Sequence, residues 1–427
     1  MLRAVPKALR TAGASRSLAT SAGPIPIAVQ REGAPVTSVT VAVRAGSRYE
    51  PNAGVAHALK NFGFKSTKER SSLRIVREVE LNGGVLSASL SKEHLFLTAD
   101  FLRGDEAFFV KLLGEVVAQG KYCRFEFNED IVPSLVADAE QAANTPVVAG
   151  LEALMATAFR ERNVGAPLFA APSTPVTVED VRKFAADAFT KENIAIVGSG
   201  ITRAELEELV DASFASVPSG RALRNAPAKY FGGDCRQGTC DAHGHPLPKD
   251  HFFLAYEGAA RDKSPALTVL ECLLGGNPAV KWCVSSTPLG VLRERIPGAR
   301  AHAFNTGYSD SGLFGFHVAA PNGSVRDAAA LATQALDSVA QGSVTAEMVT
   351  RAANQAKFHK AAEFEGPRAQ SHEVIGSLPL ETADVFAAID GVKASDITTA
   401  VQSMLKTMPT MVGLGDLSHL PYVDELM

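Results

Sequence analysis

Four side chains of the kinds that bind zinc lie within eleven residues near the middle of the chain: Cys235, Cys240, His243 and His245. Thiolates and imidazoles are the usual ligands of structural zinc. Four residues separate the two cysteines, where about two are usual, and a single residue separates the histidines. The spacing therefore favours a strand, a turn at Gly238 and a polar loop, with zinc binding as the alternative.

A second candidate ligand, His57, lies in the stretch Gly54-Val-Ala-His57-Ala-Leu-Lys60-Asn61. The segment Ala53–Asn61 is predicted to be helical, and residues three and four positions apart are neighbours on a helix. His57, Lys60 and Asn61 would then share one face. A lysine is positively charged near pH 7 and repels a metal cation. The helix therefore carries a histidine without a complete set of metal ligands.

The composition is that of a globular protein with several domains. Of its 427 residues, 46% are hydrophobic and 21% are charged, so the chain can fill large cores and is not disordered. The net charge of −4 gives no reason to expect nucleic-acid binding. Five cysteines do not make a disulfide framework, and no haem or iron–sulfur motif occurs, so no cofactor is predicted. No uncharged stretch reaches the roughly 20 apolar residues of a membrane-spanning helix.

The N-terminal segment differs from the rest of the chain. Its charged residues are all basic (Arg3, Lys7, Arg10 and Arg16), and the first acidic residue is Glu32. Apolar residues recur every three to four positions and hydroxyl residues are frequent, which is typical of a mitochondrial transit peptide. We therefore predict that residues 1–18 are a transit peptide and that the mature chain begins near Ala19; the alternative is a disordered basic tail.

The chain contains an internal repeat whose period is about half of its length. Three segments of the first half recur in the same order in the second half: the strand ending at Gly46 recurs at Gly258, Val117–Gly120 at Val339–Gly342, and Val197–Gly200 at Val412–Gly415. No single match is informative, but three matches in the same order and at similar separations indicate a duplicated domain.

Each half is predicted to be an α+β domain with a mainly antiparallel sheet and packed helices. Strands are expected where apolar and β-branched residues alternate, and helices where a hydroxyl or acidic residue precedes an apolar stretch. In the first half the predicted strands are Ile25–Gln30, Ser38–Ala45, Leu86–Leu90, Leu95–Phe101 and Ile194–Val197, and the predicted helices start at Ala53, Asp105, Thr177 and Thr202.

The domain limits follow from the segment 218–231. It is rich in proline, glycine and basic residues and has no apolar period, which predicts a linker. The two domains are then expected to cover residues 19–217 and 232–427.

Around His57 the chain resembles the insulinase-type (pitrilysin) metallopeptidases. That family carries an inverted His-x-x-Glu-His motif on a helix that follows a Gly-Ser-Arg strand end, which here is Gly46-Ser47-Arg48. The linker followed by Tyr230-Phe-Gly-Gly-Asp234 and Arg236 is similar to the family's join between halves. The resemblance covers essentially the whole chain after the transit peptide and implies two homologous halves that enclose a groove.

The resemblance also implies a degenerate catalytic motif. His57 holds the first histidine position, but Lys60 holds the position of the general base and Asn61 that of the second histidine. The third ligand of the family, a glutamate, is expected near Ala137–Asp138. At most two ligands remain, and catalytic zinc usually has three from the protein. We therefore expect no bound metal and no peptidase activity.

The second half of active relatives carries an arginine and a tyrosine that help to hold the substrate. The segment Leu292-Arg293-Glu294 matches the arginine, but the tyrosine position falls near Ala301. A second part of the catalytic machinery is therefore expected to be missing.

Among the non-peptidase members of the family, the core subunits of ubiquinol–cytochrome c reductase are the most similar locally. The resemblance rests on Phe304-Asn305, Tyr308-Ser-Asp-Ser-Gly-Leu-Phe-Gly315 and Pro421-Tyr-Val-Asp-Glu-Leu426. It implies a structural subunit of respiratory complex III on the matrix side of the mitochondrial inner membrane, with core protein 1 and the other subunits as partners.

The alternative is the non-catalytic, peptide-binding alpha-type subunit of the mitochondrial processing peptidase. That subunit carries a long glycine-rich loop, whereas the corresponding stretch here, Leu273–Val280, has only two glycines.

Overall fold

The computed structural model describes residues 25–426 except 31, 172–174, 240–247, 262, 276–286, 322 and 366–381, and only the backbone of 364, 365, 382 and 383. The predicted transit peptide, residues 1–18, lies outside the described residues. So do Cys240, His243 and His245, three of the four side chains of the alternative zinc site.

Within the described residues, each half contains five strands and a set of helices. In the first half these are β1 (Ile27–Val29), β2 (Val36–Val43), α1 (Val55–Asn61), α2 (Ser72–Leu81), β3 (Val85–Leu90), β4 (Leu95–Leu102), α3 (Glu106–Gln119), α4 (Arg124–Glu126), a π-helical turn (Phe127–Ile131), α5 (Val132–Ala143), α6 (Pro146–Phe159), α7 (Val178–Ala188), β5 (Ile194–Ser199) and α8 (Arg203–Ser213).

In the second half the corresponding elements are β6 (Gly233–Gly238), β7 (Lys249–Glu257), α9 (Pro265–Leu274), α10 (Leu292–Arg295), β8 (Arg300–Gly307), β9 (Gly312–Pro321), α11 (Val325–Ala340), α12 (Ala346–Glu365), α13 (Thr382–Asp390), α14 (Ala394–Met404) and β10 (Thr410–Gly415). None of the helices in the described part of the chain is both long and apolar enough to cross a membrane.

The two sheets have the same topology. Their strand orders are β1-β5-β2-β4-β3 and β6-β10-β7-β9-β8, so each strand of the first sheet has a counterpart in the second. In each sheet one edge pair is parallel and the other three pairs are antiparallel. The structure confirms the predicted duplication and the predicted fold class.

Along each strand, every second side chain points to the same side, which gives each sheet an inner face that packs on helices. In β2, Val39, Val41 and Val43 are at most 1% exposed and belong to the core of the first half. In β9, Phe314, Phe316 and Val318 are also at most 1% exposed and belong to the core of the second half. Because alternate side chains of a strand point to opposite faces, a second, outer face remains on each sheet.

The helix start signals of the sequence are confirmed at two caps. Thr177 and Asp180 form the reciprocal cap of α7, and the hydroxyl of Thr202 accepts a hydrogen bond from the backbone N–H of Glu205 at the start of α8. The predicted strands of the first half are also confirmed, with ends that shift by at most two residues. The sequence patterns do not predict helices α2, α5 and α6.

Helix α6 belongs to the first half in sequence but packs on the outer face of the second sheet. Its residues Leu154, Met155, Ala158 and Phe159 form one hydrophobic cluster with side chains of β7, β9 and β10, among them Phe253 and Val412. The helix approaches the sheet closely at Gly150, where an added Cβ would overlap with the ring of Phe253. The two halves therefore share this layer.

This contact predicts the effect of a methyl group at Gly150. Alanine favours a helix over glycine by about 1 kcal/mol, but overpacking a core costs roughly 1–3 kcal/mol. The Phe253 ring is fully buried and cannot move away freely. We expect Gly150→Ala to lower the thermal midpoint of unfolding, measured by calorimetry. The control is Gly391→Ala, whose Cβ would meet its nearest atom at 3.5 Å. An unchanged or raised midpoint for Gly150→Ala would contradict the close packing.

Candidate metal centre

Helix α1 presents His57 to the interior of the first half. The helix starts after Gly54, which has φ of 90° and whose Cβ would lie 2.6 Å from Cβ of Ala170, so the turn requires glycine. Glu50 accepts a hydrogen bond from the backbone N–H of Ala56 in the first turn. His57 is only 2% exposed and meets the ring of Phe169 edge to face.

The hydrogen bonds of His57 define its protonation. Its Nδ1 accepts a hydrogen bond of 3.1 Å from the backbone N–H of Ala170, so Nδ1 carries no proton. Its Nε2 lies 3.0 Å from Oδ2 of Asp138 and donates to that oxygen. Burial lowers the pKa of His57, and this outweighs the opposing effect of Asp138. The ring is therefore neutral, with its proton on Nε2.

Asp138 of α5 accepts hydrogen bonds from all three residues of the degenerate motif. Its Oδ2 lies 3.0 Å from Nζ of Lys60 and 3.4 Å from Nδ2 of Asn61, in addition to Nε2 of His57. Burial alone would raise the pKa of Asp138, but hydrogen bonds from Lys60 and His57 hold it below its ordinary value. A carboxylate with three donors on one oxygen is satisfied without a metal ion.

The side chains at this centre do not fit zinc. The Nε2 atom of His57 donates a proton where a ligand would offer a lone pair, and the Lys60 ammonium group supplies the positive charge that neutralises Asp138. Within the described residues, no group of three or more histidine, cysteine or acidic side chains is arranged to hold a metal ion. Lys60 thus takes over the electrostatic role that a cation would have beside this carboxylate.

The structure shows why the third position could not be fixed from sequence. A π-helical turn, Phe127–Ile131, precedes α5. Such a turn inserts an extra residue into a helix and rotates everything that follows relative to the α-helical register. Of the two expected positions, Ala137 is exposed on α5, and Asp138 points to His57.

The two positions predicted from the second half lie elsewhere in that half. Arg293 is exposed on the short helix α10, and Ala301 lies on β8, where it packs against the core of the second half. Neither is among the residues that hydrogen-bond to His57 or Asp138.

Arg48 has a structural role between the two halves that the sequence did not reveal. The Gly-Ser-Arg segment is not part of the strand: β2 ends at Val43, and Arg48 lies in a 3₁₀ turn, Ser47–Tyr49, where it is 5% exposed. Its guanidinium lies 2.8 Å from Glu93 and 2.6 Å from Asp310 of the second half. The hydrogen bonds of Arg48 hold the pKa of Asp310 below its usual range. The carbonyl of Arg48 accepts a hydrogen bond from Asn225 of the predicted linker. The turn after β2 therefore joins both halves and the segment between them.

Comparison with known sequences agrees with this two-part organisation. Residues 27–172 match the insulinase family (peptidase family M16), and residues 175–356 match the peptidase M16 inactive domain. The chain belongs to the insulinase family. It is a degenerate, non-catalytic member, as its motif predicted.

The most similar curated relatives belong to one group within the insulinase family. Cytochrome b-c1 complex subunit 2, mitochondrial, from Cryptococcus neoformans is 39% identical over 92% of this chain and 90% of its own length. The protein of the same name from Yarrowia lipolytica is 31% identical over the full length of both chains, and the human one is 29% identical over 92% of this chain. These relatives confirm the resemblance to the core subunits of complex III and indicate a mitochondrial protein.

A solved structure shares the fold. A chain of the structure titled "Complex III2 from Candida albicans, Inz-5 bound" has a TM-score of 0.79 and 19% sequence identity, and the match covers 94% of this chain and 96% of that one.

The position of Asp138 gives a test of the degenerate centre. In a Lys60→Glu, Asn61→His double variant, the imidazole introduced at position 61 would join His57 and Asp138, giving the three protein ligands that catalytic zinc requires. We expect zinc in elemental analysis but no turnover of a presequence peptide, because Asp138 is shorter than the family's glutamate and Ala301 stands at the tyrosine position.

The control is Lys60→Glu alone, which leaves two ligands and should bind no zinc. A folded double variant without zinc would show that Asp138 is not placed to bind metal. Chelator-sensitive cleavage by the double variant would show that the rest of an active site is intact.

Proposed function

We propose that this chain is a non-catalytic structural core subunit of ubiquinol–cytochrome c reductase, the mitochondrial cytochrome b-c1 complex. The observation that carries the proposal is the family of relatives named as subunit 2 of that complex, matched along nearly their whole length. The degenerate centre supports it, because Lys60 neutralises the carboxylate beside which a catalytic zinc would be needed.

A structural subunit acts through its surface. Four apolar side chains are exposed on α2 and on the edge strand β3 that follows it: Leu73 (59%), Val76 (48%), Leu81 (86%) and Val85 (55%). Clustered exposed apolar residues mark contact surfaces in soluble proteins. This surface supports contact with core protein 1 or another subunit of the complex.

The proposed location is the matrix side of the inner membrane. The described helices offer no membrane span, so attachment would come through membrane-embedded partner subunits. We also propose domain limits at 19–217 and 232–427 with a linker at 218–231. In support, the linker residues form no helix or strand.

The proteins that copurify with the chain test the proposed function. We expect an affinity-tagged full-length chain, expressed in mitochondria and purified in mild detergent, to bring down cytochrome b, cytochrome c1 and core protein 1 in equal amounts. The control is a tagged matrix enzyme of similar abundance. Recovery of a processing-peptidase beta subunit without the cytochromes would overturn the proposal and favour a peptide-binding role.

The N-terminus provides an independent test. Residues 1–18 have the composition of a transit peptide, so the chain recovered in the assembled complex is expected to begin near Ala19. Terminal sequencing of the purified subunit measures this. An intact Met1 in the assembled complex would refute the assignment of a transit peptide.

A further inference from the structure

The second half has a cleft at the place where the first half carries its degenerate centre. Helix α9 follows β7 as α1 follows β2, and α12 follows α11 as α4 and α5 follow α3. In the first half, Asp138 and its donors join α1 to α5. In the second half, α9 and α12 border a cleft of about 340 Å³, and small-ligand sites usually measure roughly 300–1,000 Å³.

The sequence repeat explains why this cleft is open. With the separations of the repeat, Lys60 corresponds to Cys272. Asp138 falls at His359 or Lys360, because the π-helical turn adds one residue to the first half. The carboxylate that accepts three hydrogen bonds in the first half therefore has no counterpart at this position in the second. Cys272 and His359 meet instead at one wall of the cleft, with 3.8 Å between Sγ and Nδ1.

Most side chains that line the cleft are polar. The charged and hydroxyl-bearing ones that matter here are Arg261, Ser264, Thr268, Glu271, Lys360 and Glu363. Ser264, Thr268 and Glu271 follow one another at intervals of four and three residues, which places them on one face of α9. Such walls suit a polar ligand. A metal ion is not expected, because no three histidine, cysteine or acidic side chains of the described residues are arranged to hold one.

Glu271 is the acidic group of the cleft that still needs a positive charge. Nζ of Lys360 lies 2.8 Å from the carboxylate of Glu363, and the guanidinium of Arg261 lies 3.4 Å from the carbonyl oxygen of Gly307. The carboxyl group of Glu271 has no hydrogen bond or ion pair with another described residue. Burial raises the pKa of Glu271 to about 7, although the charge of Lys360 opposes this shift. Its ionised form is therefore poorly stabilised by the protein alone.

We propose that this cleft binds a small organic ammonium ion, whose charged group pairs with the carboxylate of Glu271. A partly buried carboxylate attracts a positively charged donor strongly, because little water screens the two charges. The hydroxyl groups of Ser264 and Thr268 lie on the same face of α9 and can accept the remaining N–H groups. An anion would instead meet the carboxylates of Glu271 and Glu363. This ligand site adds to the proposed structural function and does not depend on it.

Three probes of similar size separate the possible ligand classes: butylamine, 1-butanol and butyrate. Their binding to the purified full-length chain at pH 8 can be measured by saturation-transfer NMR. We expect butylamine to bind at least tenfold more tightly than the other two, because it alone carries an ammonium group. Equal binding of the three probes would show an unspecific cleft and would overturn the proposal. Absence of butylamine binding would overturn it as well.

A nearly isosteric variant identifies the carboxylate. We expect Glu271→Gln to weaken butylamine binding at least tenfold, because the amide keeps the shape of the side chain and removes its charge. The matched control is Glu347→Gln, which changes the net charge equally at an exposed position at the start of α12. It should leave the affinity unchanged. An equal loss in both variants would indicate attraction by the overall charge and would contradict a site at Glu271.

The pH profile provides a readout that a merely structural role of Glu271 would not give. Only the ionised carboxylate pairs with an ammonium ion, and butylamine stays protonated near neutral pH. With a pKa of about 7, the affinity of the unmodified chain should rise about tenfold between pH 6 and pH 8, and that of Glu271→Gln should stay flat. The other titratable groups that face the cleft are Arg261, Cys272, His359, Lys360 and Glu363. All of them are present in the variant, so a pH dependence that persists there would overturn the assignment to Glu271.

Discussion

One buried guanidinium ties the two halves of the molecule together. Arg48 faces Glu93 of its own half and Asp310 of the other, and both its carbonyl and Asp310 accept hydrogen bonds from the linker. Removing one member of a buried ion pair costs roughly 3–5 kcal/mol, because the remaining charge stays uncompensated. The segment between the halves is therefore an ordered part of the interface, although its proline- and glycine-rich composition resembles that of a free tether.

The same principle explains how a metallopeptidase fold persists when the side chains of its metal-binding motif have changed. A carboxylate such as Asp138, next to a buried imidazole, needs a positive charge or several donors. Lys60 and Asn61 supply both within 3.4 Å, so the helix pair α1 and α5 keeps its packing. Loss of catalysis and retention of the fold are thus two results of the same substitutions. A chain freed from turnover can be selected for assembly alone.

Much of this architecture could be predicted from the sequence, and the exceptions have physical causes. Strand alternation, helix caps and the repeat predicted the two sheets and the helices α1, α3, α7 and α8, because these signals are local. Helix α6 lacks an amphipathic pattern, since it is apolar on most sides and is buried by the sheet of the other half. The partner of His57 stayed ambiguous because a π-helical turn shifts the register of α5. The role of Arg48 depends on a residue of the other half, which no local pattern reveals.

The position of α6 has a consequence for the order in which the chain can acquire its structure. The surface that receives the helix is built from β7, β9 and β10, and β10 ends at Gly415, close to the C-terminus. In a chain that emerges from a ribosome or a translocation pore with its N-terminus first, this apolar helix stays uncovered until β10, the last strand of the described residues, has appeared. Exposed apolar segments of unfinished chains aggregate. The first half is therefore expected to depend on a chaperone during import for as long as the second half is still in transit.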